Sequence, residues 1–389
     1  MSHLRDAVIV GAVRTPVGIG KPGKGAFAGI HPVDLSAKVL SGLMDRTGVE
    51  ATQIDDVIWG CVSQVGEQSA NVARNAALAA GLPEQVPGVT VDRQCGSSQQ
   101  AVHFAASSVI AGHMDVVIAG GVESMSRVPM FSNAAGGDGP FGPMMLERYQ
   151  GRLVPQGLSA EMIAQQWGLT RQVLDEIACA SHHRAAEASR EGAFHDEILP
   201  IGTGASLVVT DQGIRPDTSM EGLSALKPAF IPDGVVTAGN ASQISDGAAA
   251  LLITTSQRAT ELGLRPLARI HSVAMAGVDP VIMLTGPIPA TAKVLQRAGL
   301  SLADIGAFEI NEAFASVIGA WLAETGADPA LVNPTGGAIA LGHPLGASGA
   351  RLMTTLVHGL QRTGARYGLQ AMCEGGGMAN ATILERLDP

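Results

Sequence analysis

Aromatic side chains are nearly missing from this 389-residue chain: Phe, Trp and Tyr together make up 3% of it. A core must therefore be assembled from Ala, Val, Leu and Ile, and the 46% hydrophobic content supplies them. Positive charge is also short. Lys and Arg number 25 against 35 Asp and Glu, for a net charge of −10. No basic domain or stripe is visible of the kind nucleic-acid proteins use, so an anionic substrate must be met by local donors. Cysteine is limited to Cys61, Cys95, Cys179 and Cys373, with no CxxC pair and no zinc-like Cys/His spacing. No metal or redox cofactor is implied. A chain this long needs no disulfide framework, and a reducing compartment fits it. No apolar run reaches the roughly 20 residues of a membrane helix. Met1–Asp6 leads straight into a strand-like Ala7–Val13, with neither a signal-peptide core nor a transit composition. The expectation is a soluble, cytoplasmic protein.

Glycine is what the chain has in plenty: 49 residues, dispersed rather than periodic. Three distant sites set a reactive side chain among glycines: Gln94-Cys95-Gly96-Ser97-Ser98, Gly342-His343-Pro344-Leu345-Gly346 and Cys373-Glu374-Gly375-Gly376-Gly377. Glycine lets the backbone approach a ligand closely and leaves N–H groups unshielded. Two cysteines and a histidine presented this way suggest acyl transfer through a thioester, followed by proton transfer. Asn311-Glu312-Ala313-Phe314 adds a neutral amide donor. On context alone, Cys95 reads equally well as a nucleophile or as a buried small hydrophobe, the reading given to Cys61 and Cys179. On context alone, His343 reads first as a loop histidine bonded to backbone. His182 and His183 look like one helix face, and His103 and His113 belong to or flank a helix.

Organisation follows from periodicity. Val57–Gly60 and Asp115–Gly120 read as buried strands, and Ser97–Ala111 between them as a helix. Strands alternating with helices predict a parallel sheet covered on both faces. From 123 to 244 the strand signal fades, Gly and Pro are frequent, and charge concentrates. Helices are expected there over Ser159–Trp167 and Val173–Arg190, in a long excursion from the core. Leu251-Leu252-Ile253-Thr254 resumes the apolar pattern. The C-terminal part then echoes the first. Ala303–Asn311 resembles Gln53–Gly60, Gly346-Ala347-Ser348-Gly349 opens a helix as Gly96-Ser97-Ser98 does, and Ser98 precedes Glu123 by the same distance as Gly349 precedes Glu374. Two similar α/β halves sharing one site are expected.

The motifs resemble those of the thiolase family, the acetyl-CoA C-acyltransferases. The resemblance spans the chain in order: Arg14-Thr15-Pro16-Val17-Gly18, Gly120-Gly121-Val122-Glu123-Ser124-Met125-Ser126, Thr237-Ala238-Gly239-Asn240-Ala241-Ser242, Asp246-Gly247-Ala248-Ala249-Ala250, Asn311-Glu312-Ala313-Phe314-Ala315, Asn333-Pro334-Thr335-Gly336-Gly337, and the His343 and Cys373 motifs. It implies an α/β thiolase fold of two pseudo-symmetric βαβαβαββ-type halves in a layered α/β/α/β/α core, with an inserted loop domain. The halves would be residues 1–265, carrying the insert at 123–244, and residues 266–389. It implies a homodimer or homotetramer, with coenzyme A as co-substrate and no permanently bound cofactor.

It also implies roles. Cys95, at a helix start whose dipole favours thiolate, would take the acyl group. His343 would activate it, and Cys373 would move the α-proton of acetyl-CoA. The N–H groups of Cys95 and Gly375 would form one oxyanion hole. Asn311, holding a water, would form the other with His343. Glu312 is expected to be a structural salt-bridge partner. Matching CoA positions are Arg215 near the adenine, Leu226 and Phe230 against the nucleotide or pantetheine, Ala238 and Ser242 along the pantetheine, and Ala313 and Phe314 near the thioester.

Two segments depart from short-chain biosynthetic relatives. Val154-Pro155-Gln156-Gly157-Leu158-Ser159-Ala160-Glu161 lacks the usual His-Met-Gly, and Met283-Leu284-Thr285-Gly286-Pro287 alters Met-Gly-x-Gly-Pro. Gln94, Gln99-Gln100 and Gln243-Ile244-Ser245-Asp246 look more like degradative, long-chain or steroid-side-chain thiolases. Cleavage of 3-oxoacyl-CoA is the expected reaction. The alternatives are biosynthetic acetoacetyl-CoA formation and a non-catalytic acyl-CoA-binding subunit. A ketoacyl synthase or hydroxymethylglutaryl-CoA synthase is opposed by Cys373.

Overall fold

A computed structural model describes residues 5–204 and 206–388. Val8–Arg14 (β1) and Gly18–Ile19 (β2) open the core, followed by Asp56–Gly60 (β3), Gly88–Val91 (β4) and Val116–Ser124 (β5). The excursion contributes a small ribbon, Ile201–Gly202 (β6) with Leu207–Val208 (β7), before Ser245–Thr254 (β8) returns. Ala268–Gly277 (β9), Ile305–Ile310 (β10), Tyr367–Glu374 (β11) and Met378–Arg386 (β12) complete the set.

Ten strands join in the order β10-β11-β12-β9-β1-β8-β5-β3-β4, with β2 beside β8. The junction of β9 and β1 is slight: Val8 pairs with Arg269 and Ile9 with Ala268. On either side of it one arrangement repeats. β3 runs parallel to β5, β5 antiparallel to β8, and β8 antiparallel to β1. β10, β11, β12 and β9 repeat those relations in turn. The outermost β4 has its counterpart in a parallel bridge of Val332 to Phe308. The echo in the sequence is thus a repeat of topology.

The expected parallel sheet is in fact mixed. β8 arrives from the long excursion and runs against both β5 and β1. β12 follows β11 through the short turn Gly375–Gly377, and a hairpin is necessarily antiparallel. Gly376 and Gly377 hold φ of 81° and 78°, a region side-chain-bearing residues rarely adopt.

The Ala-rich helix Ser97–Ala111 packs against the C-terminal helix Leu345–Thr363 between the two halves. Their apolar faces share one core with Ala119 and Leu251 on one side and Ile270, Ala307 and Leu384 on the other. Helices Pro32–Thr47 and Val72–Ala79 cover the outer face of the first half. Pro287–Ala298 and Ala315–Thr325 cover that of the second. Layering is therefore α/β/α/β/α. Helices of the excursion, Gln156–Gln166 and Arg171–Arg190, pack on Ala315–Thr325. A buried ion cluster ties the excursion to β1. Arg14 reaches Glu197 at 2.6 Å and both carboxylate oxygens of Asp211 at 2.7 and 3.0 Å. Among the described residues, no helix is long and apolar enough to cross a membrane.

Candidate active site

Cys95 stands just before Gly96, the N-cap of Ser97–Ala111, and is buried. A helix start favours a thiolate by about 0.3–1 kcal/mol. Full burial opposes it by up to roughly 3–5 pKa units, at about 1.4 kcal/mol each. Burial prevails: it pushes the Cys95 thiol well above its ordinary range, with the nearby Cys373 and Glu374 adding to the effect. The backbone N–H groups of Cys95 and Gly375 face the sulfur and pull the other way. Burial therefore outweighs the helix start, and the thiol needs a base to ionise it.

His343 is the residue expected to activate Cys95, and its ring is held in place. Its backbone N–H bonds the Gln243 carbonyl at 3.0 Å and Ser245 Oγ at 3.1 Å, which fixes the loop. Its Nδ1 lies 2.6 Å from Ser348 Oγ, and Ser348 donates its own hydrogen to the Pro344 carbonyl at 2.9 Å. Ser348 then accepts from Nδ1, so Nδ1 carries the proton and Nε2 the lone pair. The Asn311 side-chain amide lies 3.4 Å from that Nε2. Burial, helped by the Arg351 charge, holds the imidazole pKa down at about 3, so His343 is a neutral base.

Cys373 is the penultimate residue of β11 and is fully buried. Burial pushes its thiol up to about 12, while the Asn311 side chain and the Ala313 N–H favour its ionised form. It is close enough to Cys95 that a thiolate there disfavours ionisation of Cys95. Cys95, Cys373, Asn311, His343 and Gly375 are thus brought to one place by four chain segments.

The repeated carboxylates differ in environment. Glu123 accepts from the N–H groups of Val62, Ser63 and Gly346 and from Gln68 Nε2, at 2.8 to 3.1 Å. It therefore staples the His343 side of the site to the first half. Glu374, its counterpart, has no hydrogen-bond partner on either oxygen among the described residues. It rests on Gly96, where a Cβ would lie 1.9 Å from Glu374 Oε1. Burial pushes its pKa to about 8 despite the Arg93 charge. The sequence echo marked the pair but not this chemical difference. Glu312 is not ion-paired as expected. It accepts from Ser181 Oγ at 2.7 Å, Asn333 Nδ2 at 2.9 Å and the Ile339 N–H at 3.1 Å. Neutral donors suffice because burial also raises its pKa.

A cavity of about 340 Å³ is lined by His182, Arg215, Asp217, Leu226, Ala238 and Gly239, among others. It gathers three of the expected CoA positions: Arg215, Leu226 and Ala238. Phe230, Ser242, Ala313 and Phe314 do not line it and form a neighbouring cluster. Phe230 meets Phe314 edge to face at 6.0 Å, and the Ser242 N–H bonds the Ala313 carbonyl at 3.0 Å. Through the Ala313 N–H this cluster reaches Cys373. His182 escaped the sequence reading. Its Nδ1 accepts the Arg215 N–H at 3.1 Å, and burial pushes its pKa down to about 4. Nothing in the local sequence distinguishes it from His183.

Comparisons with known proteins agree along the whole chain. The thiolase N-terminal domain model matches residues 7–257, and the thiolase C-terminal domain model matches residues 264–386. A steroid 3-ketoacyl-CoA thiolase of Mycobacterium tuberculosis is 50% identical over 392 residues, 99% of this chain and 95% of that protein. A 3-ketoacyl-CoA thiolase of Escherichia fergusonii is 46% identical over 394 residues, 99% and 100% of the two chains. The crystal structure of a Bacillus anthracis acetyl-CoA acetyltransferase is 41% identical and superposes with a TM-score of 0.90, covering all of both chains.

Proposed function

Because the chain belongs to the thiolase family, we propose that it cleaves 3-oxoacyl-CoA with CoA, giving acetyl-CoA and a shortened acyl-CoA, in a degradative role. One observation carries the reading: the buried Cys95 and Cys373 thiols are near enough for charge on Cys373 to oppose ionisation of Cys95, whose thiolate the Cys95 and Gly375 N–H groups favour. In this reading, His343 Nε2 takes the Cys95 proton. The sulfur attacks the 3-oxo carbon, and the developing oxyanion meets those two N–H groups. As the C2–C3 bond breaks, Cys373 protonates the acetyl-CoA enolate, whose oxygen faces His343 and a water held by Asn311. The acyl group stays on Cys95. Cys373 then takes the proton of incoming CoA, whose sulfur attacks the thioester and releases the shortened acyl-CoA.

CoA would run along the 340 Å³ cavity. Arg215 would meet the nucleotide, and Leu226, Phe230, Ala238 and Ser242 the nucleotide and pantetheine. Ala313 and Phe314 would sit at the thioester. A cytoplasmic homodimer or homotetramer belongs to the same reading, as does a division into residues 1–265, with the 123–244 insert, and 266–389. Acetoacetyl-CoA synthesis would use these groups in reverse. Similarity to 3-ketoacyl-CoA thiolases, with the altered Gln156 and Leu284 segments, favours cleavage. The test is thiolysis by the purified protein across 3-oxoacyl-CoAs of rising chain length, following loss of enolate absorbance. A clear optimum supports the reading. Absence of turnover from folded protein with every substrate would sink it in favour of a binding subunit.

A further inference from the structure

Two glutamine side chains converge on the backbone that flanks the nucleophile. Gln94 Oε1 and Gln156 Nε2 lie 3.1 and 3.2 Å from the point a Cβ would occupy on Gly375. They come from unrelated elements. Gln94 precedes Cys95, and Gln156 is the first residue of helix Gln156–Gln166, in the inserted excursion. Both are half-buried, so each amide still meets solvent. Gln94 holds a left-handed φ of 49°, which costs a non-glycine residue roughly 1 kcal/mol or more. Asp92 accepts its N–H at 2.7 Å and holds that turn. Its carbonyl accepts from the Ser97 N–H at 3.0 Å and from Ser97 Oγ at 2.5 Å, so the main chain of the turn is fixed by these bonds and not by the side-chain amide. Around Cys373 the surroundings are instead apolar: Met283, Leu284, Ala313 and Phe314 pack there.

We propose that Gln94 and Gln156 form a polar wall of the acyl channel that selects acyl groups bearing a hydrogen-bonding oxygen a few carbons beyond the reacting carbonyl. The proposal rests on the thiolase reading above and names the substrate class of that site. A plain alkyl chain would strip water from both amides and return no hydrogen bond. An oxygen-bearing chain replaces that water, accepting from Gln156 Nε2 or donating to Gln94 Oε1. Sites that hydrogen-bond their substrate discriminate far more sharply than apolar ones.

The experiment compares thiolysis of 3-oxohexanoyl-CoA and 3-oxoadipyl-CoA. Both have six carbons in the acyl chain, and only the second ends in a carboxylate. Wild-type kcat/KM is expected to favour 3-oxoadipyl-CoA by about tenfold or more. In the Gln94→Leu/Gln156→Met double variant the ratio should fall towards one. The single Gln156→Met variant should move it the same way, and serves if the double variant does not fold. A merely structural role would lower both rates together and leave the ratio unchanged, and that result overturns the proposal. So does equal wild-type preference. Intact-protein mass separates this failure from that of the thiolase reading. An acyl adduct on Cys95 without discrimination overturns the glutamine wall alone, whereas no adduct from either thioester overturns both.

Discussion

Ser348 accepts a hydrogen bond from His343 Nδ1 at 2.6 Å while giving its own hydrogen to the Pro344 carbonyl. One hydroxyl, one helical turn into Leu345–Thr363, thereby sets the tautomer of a base whose working nitrogen is on the other side of the ring. Ser348→Ala should leave a buried N–H unpaired and let the ring turn. The expected result is a ten- to hundredfold lower kcat, slower alkylation of Cys95 by iodoacetamide, and little change in KM. Ser348→Thr keeps the acceptor and should restore most of the rate.

The two thiols should separate by mutation. Cys95→Ala is expected to abolish the acyl adduct seen by intact-protein mass. Cys373→Ala should still take an acetyl group onto Cys95 from acetyl-CoA, a transfer that breaks no carbon–carbon bond, yet nearly stop carbon–carbon bond cleavage in 3-oxoacyl-CoA. Normal turnover by the second variant would show that Cys373 is not the proton shuttle.

Glu374 is held protonated, with a pKa of about 8 against an ordinary value near 4.5. Between those values the unfolded chain ionises it and the folded chain does not, so its contribution to stability falls as pH rises from 4.5 to 8. Glu374→Gln should therefore match the wild type in thermal unfolding at pH 4.5 and exceed it at pH 8. Above pH 8 the wild-type carboxylate places a negative charge beside both thiols, and activity should drop there. Glu374→Gln should lack that drop, which a pH–rate profile will show.

Acid should weaken the fold for a different reason. His103, His182 and His343 are held neutral, their pKa values pushed down to about 3, about 4 and about 3. Below about 6.5 the unfolded chain takes up protons the folded chain refuses. The stability these three contribute is complete above pH 6.5 and is lost as pH falls, through about 4 for His182 and about 3 for His103 and His343. Each costs at most about 1.4 kcal/mol per pH unit. His103→Gln keeps a partner for Thr382, which bonds His103 Nε2 at 2.7 Å. It should flatten the fall in denaturant midpoint between pH 6.5 and 4.5.

Arg14→Met would leave Glu197 and Asp211 buried without their cation. A loss of about 3–5 kcal/mol in unfolding free energy is expected. Limited proteolysis should cut the 190–215 segment first, because the Arg14 side chain anchors Glu197 and Asp211, while the backbone bonds of Arg14 to Glu197 and Leu199 remain.

Local pattern carried much of this protein. The helix Ser97–Ala111 was legible with its observed limits, because an Ala-rich run between a glycine-flanked start and Gly112 leaves little choice. Cys95, Asn311, His343 and Cys373 were legible because each stands in a short motif whose backbone is shaped by its own neighbours. Periodicity also showed the two halves and the excursion that interrupts the first. What it missed depends on partners distant in the chain. Strand direction in the mixed sheet is settled by where β8 returns and by the β11–β12 turn. The ionisation states of Cys95, Glu374 and His182 are set by burial, which only packing creates. Likewise, Gln94 and Gln156 meet over Gly375 only because the excursion folds back onto the nucleophile turn. The sequence by itself determined which reactive groups are present and the local backbone that presents each one. Tertiary structure alone decided their protonation, their pairing and what surrounds them, because desolvation and hydrogen bonding act through space.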